Sequence, residues 1–247
     1  MRKHLVWVLG LALAVGVVGI ASATNTQGIT AQVGPSAVAK LPKTTLKPTK
    51  LRTITTTGCQ SPCSGAGAIK PVSKAQVSFD NDIVFTTKGI ATCPKSKLDA
   101  TTTAAARAAC PKAIVGQGQA KVGVAGDPSP GAEVAAVITA FNGPKQGGKD
   151  VIYLHTRVDA IANTTILTGV LTKVGGDFGN RLDVTVPPLT ANSATKVFDV
   201  TVQHGKYVRA HCGDKNKTLN YKGKFTYSGG EPSKTVSDIQ KCKVQGR

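Results

Sequence analysis

Val197-Phe198-Asp199-Val200-Thr201-Val202-Gln203-His204 alternates in a way that only an extended chain can use: Phe198, Val200 and Val202 fall on one side, Val197, Asp199 and Thr201 on the other. Period two with one apolar face is the pattern of a half-buried β-strand. The same pattern recurs at Leu182, Val184 and Val186 against Asp183 and Thr185, so that Asp-Val-Thr-Val occurs twice, at 183–186 and 199–202. Two strands of one sheet account for this repeat more simply than a duplicated domain.

Outward from this stretch the chain reads as strand after strand, separated by Gly, Pro and Asn. Gln76–Phe79 and Ile83–Thr86 flank Asp80-Asn81-Asp82 as a hairpin. Strand-like segments follow at 113–125, 133–141, 151–158, 165–174 and 181–186, then at 196–204, 206–212, 221–227 and 234–242. Val, Thr, Ala and Gly dominate, and aromatic residues make up only 4% of the chain, a composition suited to strands and turns. One segment departs from this rule. Ala100 to Ala109, rich in alanine and preceded by Asp99 as a cap, predicts a short helix bracketed by Cys93 and Cys110. The predicted fold is all-β: a single antiparallel β-sandwich of about nine to eleven strands with one short disulfide-bracketed helix.

The ends of the chain read differently. Arg2, Lys3 and His4, the apolar run Leu5 to Ile20 and the small-x-small Ala21-Ser22-Ala23 form a signal peptide over residues 1–23, with cleavage before Thr24. The run is about 16 residues, just short of the roughly 17–25 that span a bilayer, so an uncleaved anchor is the weaker reading. No later stretch is apolar enough for a transmembrane segment, and the expected localisation is secreted or extracellular, with cell-wall association as a further option. Residues 24–72 read as a Pro/Thr/Lys-rich extended tail, open as a spacer, a basic arm or a strand that docks onto the domain: Leu41 to Arg52 spreads Lys, Pro and Thr evenly, and no acidic residue follows the signal until Asp80. Residues 73–247 form the sandwich domain.

Six cysteines in an exported chain predict disulfides rather than metal or redox chemistry. Proximity favours Cys59–Cys63, Cys93–Cys110 and Cys212–Cys242 among 15 pairings, and closing the two longer loops stabilises by about 3–4 kcal/mol each. Cys59-Gln60-Ser61-Pro62-Cys63 has three residues between its thiols, not the two of a redox or zinc CxxC.

Signals for other chemistry are weak. Gly143-Pro144-Lys145-Gln146-Gly147-Gly148-Lys149-Asp150 nearly matches a phosphate-binding loop, but Asp150 replaces the Mg²⁺-binding hydroxyl. The strand-like Val151-Ile152-Tyr153-Leu154-His155 follows where a helix is required, so a hairpin turn is expected. Gly116 and Gly118 begin a GxG without its third glycine. His155 shares parity with Tyr153 and Arg157, and His211 with Tyr207 and Arg209, so both are expected to face solvent or a ligand; His204 lies at a strand end, and no zinc spacing joins the three. No cofactor or metal is expected, and no catalytic residue is assigned. A hydrolase using carboxylates on a sheet face would draw on Asp80, Asp82, Asp127, Glu133, Asp150, Asp159 and Asp177. Asn163-Thr164-Thr165 and Asn216-Lys217-Thr218 match the glycosylation acceptor.

Charge is the remaining lead. The chain carries 31 Lys and Arg against 13 Asp and Glu, a formal charge of +18 that becomes +16 without Arg2 and Lys3. Outside a cell this points to polyanions: teichoic acid, acidic polysaccharide, anionic lipid heads or nucleic acid. Lys40, Lys43, Lys47, Lys50 and Arg52 are the candidate polyanion-binding residues, and residues 206–247 add ten Lys and Arg against Asp214, Glu231 and Asp238. Simple solubility is the competing explanation, and a structural or protein-binding module the third.

From Pro71 to Cys242 the chain resembles secreted proteins of high-GC Gram-positive soil bacteria that have no assigned function. The features are Cys93 through Ala104–Cys110, Ala113-Ile114-Val115-Gly116-Gln117-Gly118, Ala140-Phe141-Asn142-Gly143, Leu182 to Pro187, and Cys212 with Cys242. The resemblance implies a secreted β-sandwich and no particular activity.

Overall fold

The structure, a computed structural model, describes residues 24–187, 193–213 and 217–245. The expected signal peptide therefore lies outside the described residues. The chain is mostly β, with 57% strand and 9% helix. Alternating segments become β1 (Asn25–Val33), β2 (Val38–Leu41), β3 (Lys47–Pro48), β4 (Leu51–Cys59), β5 (Val72–Asp80) and β6 (Ile83–Phe85). After the helix α1 (Thr103–Ala109) come β7 (Ile114–Gly123), β8 (Glu133–Gln146), β9 (Lys149–Val158), β10 (Asn163–Lys173) and β11 (Phe178–Thr185). The last four are β12 (Ala194–Val202), β13 (Val208–Ala210), β14 (Thr218–Tyr227) and β15 (Lys234–Val244).

Twelve of these strands form one sheet in the order β1-β4-β12-β7-β8-β9-β10-β11-β5-β14-β15-β2. It curls into a nearly closed barrel instead of the two facing layers expected of a sandwich. The reason lies at its two ends. β1 returns beside β15, and side chains of β15 take the place of a backbone ladder. Asp238 Oδ2 accepts from the Ala31 amide at 2.8 Å, and Gln240 Oε1 accepts from the Val33 amide at 2.8 Å. Gln240 Nε2 donates to the carbonyls of Val33 and Ser36, both at 2.9 Å. β2 then pairs with β15 in parallel, Lys40 opposite Lys243. An edge whose amides are satisfied this way is no longer a template for further pairing. Gly116 and Gly118 allow the tight curvature on the far side, because a Cβ at either would run into the backbone oxygens of Thr201 and Asp199 on β12.

The interior follows the predicted parity: Leu182 and Val184 of β11, Val186 just after it, and Phe198, Val200 and Val202 of β12 face the lumen. A small second sheet, β3-β13-β6, packs Ile83, Phe85 and Val208 against one end, with Tyr207 and Phe79 in edge-to-face ring contacts to Phe85. The other end is where residues 72, 165, 186 and 195 lie.

The extended tail is corrected. β1 and β4 pair along nine residues, Asn25 opposite Cys59 to Val33 opposite Leu51, and β4 pairs on to β12. Ile29, Ala31, Val33, Ala39, Leu41 and Leu51 are buried in the core. The Lys and Pro residues that suggested a free chain occupy outward positions and short connections, while β4 turns Thr53, Thr55 and Thr57 inward, which hides its alternation.

The three local disulfides form, with Cα atoms 5.9, 5.7 and 5.8 Å apart for Cys59–Cys63, Cys93–Cys110 and Cys212–Cys242. The helix is shorter than expected. Thr102, not Asp99, caps it by accepting from the Ala105 amide, and Asp99 instead meets Lys95 at 3.8 Å. No helix among the described residues is long and apolar enough to cross a membrane.

Candidate functional site

Strand register places a concentration of positive charge on one outer face. On β14, Leu219, Tyr221, Gly223 and Phe225 point inward, which turns Lys222 and Lys224 out. On β15, Gln240 and Cys242 are buried, so Lys241 and Lys243 face out. Lys222 and Lys224 lie opposite Ser237 and Thr235 on β15 and opposite Ser78 and Gln76 on β5, and Lys74 of β5 lies opposite Thr226. Lys40 extends the same face on β2, directly opposite Lys243. Lys40, Lys74, Lys222, Lys224, Lys241 and Lys243 are all exposed. Among the described residues none of the six makes an ion pair, and no carboxylate occupies an outward position of β14, β15 or β2. The nearest acid, Asp183 on β11, is already bound by Arg181 at 3.1 Å and by Gln76.

The five residues singled out from the sequence do not form one cluster. Lys40 joins the face just described. Lys43 is exposed after β2, its carbonyl 3.2 Å from His211 Nδ1. Lys47 on β3 donates to Gln245 at 3.3 Å. Lys50 and Arg52 line a polar groove of ≈ 700 Å³ on the outer side of β1, β4, β12 and β7, together with Arg107, Gln117, Gln119 and Asp199. Arg52 is held there by Asp199 through Nε at 2.9 Å and Nη2 at 2.6 Å, and this pairing raises its pKa. A guanidinium forked onto a carboxylate has most of its charge already answered. Lysines of β14 and β15 carry the free charge instead, and only the register, not their spacing in sequence, brings them beside Lys40.

The acids are engaged elsewhere. Asp80 and Asp82 are buried beside the β5–β6 turn. Lys217 Nζ reaches them at 3.3 and 3.2 Å, and the amides of Asp82, Gly213 and Asn220 supply further donors. The paired carboxylates raise the Lys217 pKa against the opposing effect of desolvation. Glu133 bridges Lys121 and Lys196, each at 3.0 Å, which lowers its pKa, and Asp150 meets Lys145 at 2.9 Å. Asp159 pairs with Arg157, and Asp127 accepts from the Ser129 amide. These acids thus hold turns and strand ends in place.

His155 does not face solvent as its parity suggested. It is fully buried, because residues 90–113 lay a second apolar layer over the outer side of β8, β9 and β10. Cys93, Leu98, Ala106 and Ala113 pack there against Phe141, Val151 and Tyr153. His155 Nε2 lies 3.1 Å from the Thr101 carbonyl, and burial, opposed by that hydrogen bond, depresses its pKa. His211 sits 3.5 Å from Asp82, and His204 is exposed in the turn after β12. No group of three or more metal-ligating side chains occurs among the described residues. Gly143 to Asp150 is the β8–β9 hairpin, with Gly147 and Gly148 at positive φ in a two-residue turn, as expected.

Among the described residues the exposed large apolar side chains are Val124, Val137, Ile161 and Ile239, the last on the outward side of β15. No protein-family model matches the chain, and no curated protein matches it in sequence.

Proposed function

We propose that this is an exported protein that contacts anionic polymers of the cell envelope or extracellular space, such as teichoic acid, acidic polysaccharide or nucleic acid. Its contact surface is the outer face of β5, β14, β15 and β2. The observation that carries the reading is the placement of Lys40 opposite Lys243, with Lys74, Lys222, Lys224 and Lys241 on the same face and no acid among them. Like charges directly opposed in a sheet destabilise by a few tenths of a kcal/mol to about 1 kcal/mol. A solubilising surface intersperses both signs; here Asp183, which borders the face beside Lys74, is already bound by Arg181 and Gln76, and the lysines of β14, β15 and β2 are left to meet a polyanion.

Three disulfides fit the oxidising space outside the cytoplasm, and the signal-like residues 1–23 and the resemblance to secreted proteins fit export. Polyanion binding through point charges is of low selectivity, since each neutralised charge releases a counterion whatever the polymer. Retention on heparin, teichoic acid and DNA columns tests the reading. Elution of all three well above roughly 0.1 M salt, where the screening length is already about 10 Å, is the expected result. Elution at or below that concentration means that the charge only solubilises.

A further inference from the structure

The lysine face makes no use of the barrel interior, which has a built space of its own. A cavity of ≈ 120 Å³ runs through the lumen between Val77, Leu154, Leu171, Leu182, Val184 and Phe198. Beyond Leu51, β4 contributes to its wall the short side chains of Thr53, Thr55 and Thr57, which leave the space open. The aromatic contacts of Phe79, Phe85 and Tyr207 fill the end covered by the small sheet. At the opposite end a second cavity of ≈ 290 Å³ shares Val72, Leu167, Val186, Thr195 and Phe198 with the first. The two thus adjoin, an apolar lumen beside a wider mouth, with these shared residues between them.

The mouth is uncharged and mixes hydroxyls with apolar side chains. Ser73, Thr156, Thr165, Ser193, Thr195 and Ser228 supply the hydroxyls, and no Asp, Glu, Lys, Arg or His among the described residues lines either cavity. In a chain with 44 charged residues this is a selective exclusion. Hydrogen bonding narrows the class further. Ser73 Oγ donates to the Thr226 carbonyl at 3.1 Å, Ser228 Oγ to the Pro71 carbonyl at 3.4 Å, and Thr165 Oγ1 to Asn163 Oδ1 at 3.2 Å. With their protons committed within the protein, these hydroxyls present lone pairs to the mouth. A carboxylate or phosphate would be stripped of water there with no cationic side chain to answer its charge. A hydroxyl or amide N–H brings the donor they lack.

We infer that the barrel binds a neutral amphiphile, with its alkyl chain in the lumen and a hydroxyl- or amide-bearing head among the serines and threonines of the mouth. A cavity of about 150 Å³ lined by aliphatic side chains holds one benzene, so the lumen takes roughly five or six carbons, and the mouth takes the rest of a chain of about eight to twelve. Affinity for a series of primary alcohols therefore rises about fourfold per methylene, the factor for burying one CH₂, until the space is full.

The test is displacement of the fluorescent probe N-phenyl-1-naphthylamine from the full disulfide-bonded protein at neutral pH. 1-Decanol is expected to displace it at a concentration at least tenfold lower than ionised decanoate does. Val186→Trp, at the half-buried junction of the two cavities, is expected to abolish probe binding while leaving the melting temperature and heparin retention unchanged. Val72→Trp blocks the same junction from β5 and serves if the first variant does not fold. Absence of probe binding by the unaltered protein, equal displacement by decanoate, or unchanged binding in a folded junction variant each overturns the inference.

Discussion

The outer sides of β8–β10 and of β14–β15 belong to one sheet and are treated in opposite ways. Over β8, β9 and β10 the chain lays its own second layer: α1, the Cys93–Cys110 bridge, Leu98 and Ala113 bury Phe141, Val151 and Tyr153 from the outside. Strands covered on both sides read as continuous apolar runs, as Val151-Ile152-Tyr153-Leu154 does. Over β14 and β15 no segment among the described residues is laid, and alternation stays strict, with lysine outside. The covered side is structural, and its ionisable residues, such as His155, serve packing. The uncovered side is held together at its seam by polar side chains and is where charge is available to a partner. The polyanion contact proposed above is placed on the face that the chain does not cover with itself.

The comparison is broken most drastically by removing β1 and most of β4. Deletion of residues 24–58 is expected to abolish cooperative unfolding altogether. It removes six buried core residues, Ile29, Ala31, Val33, Ala39, Leu41 and Leu51. At about 1.5–3 kcal/mol for each large apolar side chain this approaches or exceeds the roughly 5–15 kcal/mol of a whole domain. Circular dichroism and a thermal melt decide it; a native-like melt of the truncated chain means that 24–58 is a dispensable arm after all.

The seam is the next weakest place. Gln240→Ala leaves the amide and carbonyl of Val33 and the carbonyl of Ser36 without partners, and also frees Tyr221 Oη, which donates to Gln240 at 3.2 Å. Leaving such buried groups unpaired costs about 1–3 kcal/mol each, so a loss of at least ~3 kcal/mol in urea unfolding is expected. A loss below about 1 kcal/mol shows that β1 is held against β15 by something else. On the covered side, replacing Cys93 and Cys110 together by serine is expected to cost about 3 kcal/mol on the loop-entropy account. Amide exchange should quicken in α1 and leave β14–β15 protected, because the two sides share no outer layer.

A smaller effect separates the sides by pH. The His155 pKa is depressed in the folded state, so its neutral form is favoured there. Stability is full above the unfolded value of about 6.5 and falls as pH drops below it, since the unfolded chain takes up the proton first. His155→Gln removes this acid-side slope near pH 6, seen as a flatter dependence of melting temperature on pH. An unchanged slope places the acid sensitivity in other groups.

Much of this was legible in the residues. Nearly every strand from β5 onward announces itself by alternation and by Gly or Asn turns, and the three disulfides follow from proximity and strand parity. What failed did so for identifiable reasons. β4 faces inward with threonine, which carries little hydropathy signal, and β1–β2 sit among prolines and lysines whose outward placement only the register reveals. The barrel closure depends on Asp238 and Gln240 reaching a strand more than 200 residues away in sequence, and no local pattern encodes that. His155 was misplaced because parity assigns a residue to a face but not to solvent, and the second layer over that face lies in a different segment. The candidate lysine face was half visible, in the charge excess of residues 206–247; its union with Lys40 is a product of the parallel β2–β15 pairing.

The most direct measurement compares two four-lysine variants for the salt dependence of heparin binding. One carries Lys222→Gln, Lys224→Gln, Lys241→Gln and Lys243→Gln on the uncovered side. The other carries Lys88→Gln, Lys97→Gln, Lys112→Gln and Lys149→Gln, exposed lysines of the covered side and its turns. Both lower the net charge equally. The account predicts that the first variant loses roughly three units of slope in log K against log salt, at about 0.7–0.9 per contact, and that the second keeps the slope of the unaltered protein. Equal loss in both variants contradicts a dedicated face and leaves only the total charge.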